Sequence, residues 1–76
     1  MHYDTMKLIK MAKQMADFFR NQPDRPPAEA VAGHINENWA PIMRQDFVNL
    51  IASGAPADPI VRDAAAFVRL GRSDAA

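Results

Sequence analysis

Apolar and polar positions separate cleanly along the first third of the chain. At about 100° per residue, Leu8, Ile9, Met11, Ala12, Met15, Ala16, Phe18 and Phe19 fall within an arc of roughly 180°. Lys7, Lys10, Lys13, Gln14, Asp17 and Arg20 fill the other half, and only Met6, just upstream, points to the wet side. A strand would need alternate residues on one face, so this division predicts a helix. It is expected to run to Arg20 or Asn21, with Asp4 or Thr5 as its cap and Pro23 barring continuation. The following QPDRPP is a rigid connector that sets the angle to the next helix.

A second helix is expected to open within Pro26 to Ala28, with Asp24 as candidate cap and the prolines in the first turn. Its inner stripe is Ala28, Val31, Ala32, Ile35 and Trp39, leaving Glu29, Gly33, Asn36 and Glu37 outside. The alanines and Gly33 make it slim enough for another helix to approach closely. Pro41 disfavours a helical Ala40 and suits the first turn of a third helix, so a break at Trp39-Ala40-Pro41 is favoured over one kinked helix. The third helix carries Ile42, Met43, Phe47, Leu50 and Ile51 and stops at Ser53-Gly54, the glycine supplying a left-handed cap. Asp58 before Pro59 starts a fourth, with Ile60, Ala64, Phe67 and Val68 as its stripe up to Gly71. The expected fold is therefore all-α, a single domain of three to four short helices over residues 1–76, with 71–76 a frayed tail.

Composition sharpens this picture in one respect. Apolar residues make up 49% of the 76, more than a core of this size takes in, which points to a surface that another protein covers. Without cysteine, neither a disulfide framework nor a thiolate metal site holds the chain together. Nine basic and nine acidic residues cancel, so the footprint of a nucleic-acid binder is missing. Lys7, Lys10, Lys13 and Arg20 read as a solvated helix face; membrane-surface binding through them is the minor alternative. Charges within the first dozen residues exclude the apolar run of a secretory signal, and no stretch reaches the roughly 20 apolar residues of a membrane span. A cytoplasmic location is expected.

Candidate chemistry is sparse. His2 and His34 stand in no ligand-like spacing, and His34 reads as a hydrogen-bonded boundary residue rather than a proton shuttle. Ser53 and Ser73 lie in helix-end or tail contexts, and no glycine-rich phosphate loop is present, so an active site on this chain is not expected. Met6, Met11, Met15 and Met43 fit either a core or an adaptable binding surface, core being the plainer reading for Met11 and Met15. Trp39, an amphipathic ring beside a chain break, fits core and interface equally.

Three segments together carry a resemblance: LIKMAKQMADFF at Leu8 to Phe19, PDR at Pro23 to Arg25, and HINENWAPIMR at His34 to Arg44. In order and spacing the chain resembles the delta subunit of NAD-dependent, molybdenum-containing formate dehydrogenases, whose pattern here is L-I-x-M-A-N-Q-I-x-x-F-F, P-D-R and H-I-x-x-x-W-x-P-R-M-R. Lys13 replaces the pattern's Asn, and Ile42 replaces the first Arg of P-R-M-R, leaving Arg44 as the cation of that cluster. Residues after Leu50 carry none of the resemblance.

The resemblance implies a non-catalytic accessory subunit of a cytoplasmic enzyme that oxidises formate and passes electrons to NAD. It implies binding to the large molybdenum subunit in support of assembly, stability or cofactor retention. No cofactor is expected on this chain; bis-molybdopterin guanine dinucleotide, iron-sulfur clusters and flavin (FMN) would belong to the larger subunits, in keeping with the lack of cysteine. Phe18, Phe19, Trp39 and Met43 are the candidate buried anchors of the interface, and Arg25 and Arg44 the candidate charged contacts at its rim. The alternative from another class is a free-standing helical adaptor or regulator that self-associates through the same face.

Overall fold

The computed structural model describes residues 6–22 and 24–70. The expected caps Asp4 and Thr5, His2, Pro23, Gly71 and the tail lie outside the described residues. The elements are α1 (Met6–Phe19), α2 (Pro27–Asn38), α3 (Pro41–Ala52) and α4 (Pro59–Ala64), followed by a 3₁₀ turn over Ala65–Phe67. Among the described residues there is no strand, and the all-α expectation holds.

Prolines and caps place the boundaries. Pro27 opens α2 and Pro41 opens α3, each where a missing N–H costs nothing because first-turn amides have no helical partner. Trp39 adopts an extended conformation between them, so the chain breaks at this corner. Asp24 does not cap α2: the N-cap is Pro26, with no side-chain cap bond, and the first helical hydrogen bond runs from Ala30 N–H to the Pro26 carbonyl at 3.1 Å. With two prolines in succession, donors that a carboxylate could satisfy are already absent. At the end of α3, Gly54 takes φ +91°, Ala55 N–H donates to the Leu50 carbonyl and Gly54 N–H to that of Ile51, both at 3.1 Å. That paired closure requires a left-handed residue, which glycine supplies without steric cost. Asp58 caps α4, accepting from Ile60 N–H at 3.0 Å.

α2 packs against both α1 and α4, and α1 packs on α4, so these three surround the core while α3 closes one side. Small residues permit the close approach: Ala12 and Ala16 of α1 and Ala64 of α4 are fully buried, around Val31, Ile35, Leu8, Phe47 and Val61.

Three expectations change. On α4, Ala64 and Val68 are buried as expected and Ile60 is half-buried against the core, but Val61 joins them and Phe67 is 50% exposed. The cause is local: after Ala64 the helix tightens to 3₁₀ and Val68 turns extended, rotating Phe67 outward. On α3, Ile42 is exposed rather than inward, and Phe47 alone is fully buried. The space beside Gly33 is taken by the Arg25 guanidinium, not by a helix; an added Cβ would stand 3.3 Å from Arg25 Nη2.

Candidate functional site

The inward face of α1 is narrower than its apolar arc. Leu8, Ile9, Ala12 and Ala16 occupy the buried sector; in the adjoining one Met15 and Phe19 still pack against the core while Met11 and Phe18 are left exposed. Phe18 is 64% exposed and Met11 39% exposed; Met15 and Phe19 are half-buried. Phe18 and Phe19 meet edge-on, ring centroids 5.1 Å apart. Opposite stand His34 of α2, exposed, and Trp39 just past its end, 8% exposed and packed edge-on against Phe47.

Together Met11, Gln14, Met15, Phe18, Phe19, His34 and Trp39 enclose an open groove of about 490 Å³. Among the described residues its walls carry no Asp, Glu, Lys or Arg, and Gln14 and His34 are its polar members. A surface of this composition holds apolar side chains and offers two hydrogen-bonding groups for orientation.

The polar side of α1 serves the fold instead. Lys13 Nζ lies 2.8 Å from the Asp17 carboxylate, Arg20 Nη2 lies 3.0 Å from it, and the same Nη2 reaches Asp58 of α4 at 3.2 Å. Hydrogen bonds from Lys13 and then Arg20 hold the Asp17 carboxyl below its ordinary range, and those to Asp17 and then Asp58 raise the Arg20 guanidinium. The expected solvated face is thus also a bridge between helices.

Of the six candidate interface residues, the structure brings Phe18, Phe19 and Trp39 together at the groove. Met43 is half-buried and packs against the core. Arg25 is exposed and lies over Gly33 on α2. Arg44 is half-buried, with Nη1 donating to the Asn36 carbonyl at 3.3 Å near the end of α2, while its Nε is buried without a partner. Such a cation suits the negative end of a helix.

Sequence reasoning missed Gln14 and His34 as groove walls, because periodicity along one helix does not reveal what the next helix places opposite. It also missed Asn36. Its Nδ2 donates to the Phe67 carbonyl at 3.2 Å and its Oδ1 accepts from Arg69 N–H at 2.7 Å, pinning the segment that follows the 3₁₀ turn. Among the described residues, no group of three or more His, Cys, Asp or Glu side chains is arranged to hold a metal ion. No helix there is long and apolar enough to cross a membrane.

Residues 7–65 match the family model described as NADH-dependent formate dehydrogenase delta subunit FdsD. The chain belongs to this family. Neither a curated protein nor a solved structure matches it. The region shared with the delta-subunit family contains every wall of the groove and all six candidate residues. It ends at Ala65, before the segment that Asn36 pins. Membership of the FdsD family places the chain among subunits of a formate dehydrogenase complex, and so implies partner subunits.

Proposed function

We propose that this chain is a non-catalytic accessory subunit of NAD-dependent formate dehydrogenase and docks on the large molybdenum subunit through the groove between α1 and α2. Docking supports assembly, stability or cofactor retention in the cytoplasmic enzyme. In this reading the larger subunits carry the bis-molybdopterin guanine dinucleotide, the iron-sulfur clusters and FMN.

The observation that carries the reading is Phe18, nearly two-thirds exposed in an uncharged trough beside Phe19, Met11 and Met15, within the stretch shared with the family. Burying a phenylalanine fully is worth about 1.5–3 kcal/mol, and aromatic side chains of this kind concentrate binding energy at interfaces. Trp39 contributes differently: it forms the inner wall while remaining part of the core.

The test is co-purification of the co-expressed subunits through a high-salt wash. Retention of the native chain and loss of the Phe18→Ala variant, with unchanged circular dichroism and Tm, supports the reading. Equal retention of both contradicts it. Phe18 is the informative position because its side chain is outside the core, whereas truncating Trp39 would damage the fold itself.

A further inference from the structure

We infer that the occupant of the groove is an amphipathic helix of the large subunit, with aspartate or glutamate side chains flanking its apolar face on the α1 side; this rests on the docking proposed above.

Shape gives the first argument. From Met11 to Phe18 the groove follows α1 for seven residues, about 10 Å or two turns at 1.5 Å per residue. That is the span over which a helix laid alongside presents anchors at i, i+3 or i+4, and i+7. Two of the walls are methionines, whose flexible thioether chains adapt to a neighbouring apolar helix.

Charge gives the second. Lys7 and Lys10 lie one turn before Met11 and Gln14, so they continue the outer rim of the groove, and both are exposed. Asp17, the one acidic residue of α1, follows Gln14 one turn further along the same rim, but its carboxylate is already held by Lys13 and Arg20. At the far end Phe19 also walls a smaller depression that includes Arg25 and Asp24, which offset one another in charge. On the α2 side the rim carries His34, with Glu37 three residues on. The uncompensated charge is therefore positive and sits along α1, where an acidic flank gains attraction and a basic one is repelled. A second copy docked groove to groove would bring two sets of Lys7 and Lys10 into one interface with no α1 carboxylate left to meet them.

The experiment uses the assembled formate dehydrogenase. Zero-length carbodiimide coupling, which joins an amine only to a carboxylate in contact with it, is followed by peptide mass spectrometry. The expected products link Lys7 or Lys10 to Asp or Glu residues of one helix of the large subunit. In parallel, the purified chain is rebound to enzyme prepared without it. The double variant Lys7→Glu, Lys10→Glu should bind roughly tenfold more weakly and lose most of the salt dependence seen between about 50 and about 500 mM NaCl.

Cross-links from these lysines to a second copy of the chain overturn the inference, as does a double variant that binds like the native chain while Phe18→Ala does not. In that last case groove docking stands and only the acidic helix falls. If neither the double variant nor Phe18→Ala weakens binding, both the inference and the docking reading fail.

Discussion

Trp39 meets Phe47 edge-on across the Pro41 corner, with ring centroids 5.8 Å apart and planes at 88°. The pair locks α3 to the end of α2 and makes the inner wall of the groove part of the core. Phe18, on the opposite wall, touches Phe19 and solvent. Two aromatic groups of one site therefore have separate roles, one holding the fold and the other presenting surface.

Phe47→Ala should cost about 3–5 kcal/mol, since the ring is fully buried and leaves a cavity. A domain of this length has only about 4–11 kcal/mol in total, so the variant should be largely unfolded in mild urea. Phe18→Ala should change stability by no more than about 0.5 kcal/mol. Urea denaturation followed by circular dichroism measures both.

Asn36 ties α2 to the segment after the 3₁₀ turn by one donated and one accepted bond. Asn36→Ala should raise the hydrogen-exchange rate of the Arg69 amide, with a loss of about 1 kcal/mol in local protection. Asn36→Asp keeps the acceptor and should preserve Arg69 protection while losing the bond to Phe67. Equal exchange in all three proteins would show that the clamp does not order this segment.

Asp58 caps α4 and also receives Arg20 from α1. Asp58→Asn retains a capping oxygen and loses the ion pair, so a change of a few tenths of a kcal/mol is expected, in line with partly exposed pairs. Asp58→Ala loses both and should cost about 1 kcal/mol more. Thermal unfolding of the two variants separates the contributions.

The pH dependence has a definite sign at Asp17. Lys13 and Arg20 lower its pKa below the ordinary 3.8 in the folded state. A depressed carboxylate contributes stability above its unfolded value and loses it as pH falls through the folded one. NMR titration of the Asp17 carboxyl should give a midpoint below 3.8, rising toward that value in Lys13→Met. Unfolding experiments on the native chain should show the contribution intact at neutral pH and declining below roughly pH 4.

What the sequence made legible was local. The α1 stripe, the Trp39-Ala40-Pro41 break, the Gly54 cap and the Asp58-Pro59 start each depend on a few adjacent residues, and each appears where expected. On α4 the stripe appears at Ala64 and Val68, but the burial of Val61 beside an equally apolar Ile60 and the outward turn of Phe67 did not show, because the switch to 3₁₀ geometry after Ala64 carries no residue signature. Asp24 looked like a cap on composition alone, but the two prolines at the helix start have no N–H for its carboxylate to accept, although the helix opens where expected. Asn36 and Arg20 make their decisive bonds to residues more than thirty positions away, which no periodicity records. The groove was legible by half: the excess apolar arc of α1 was visible in Met11, Met15, Phe18 and Phe19, while the opposing wall needed the fold to bring His34 and Trp39 across.

Docking through the groove requires that Phe18 be covered in the working enzyme. Replacing it with a benzophenone-bearing phenylalanine and irradiating the assembled formate dehydrogenase reads this directly. A covalent adduct with the large molybdenum subunit, mapped to one apolar segment, is the predicted result. An irradiated complex in which position 18 reacts only with solvent, or only with another copy of the chain, would contradict the account.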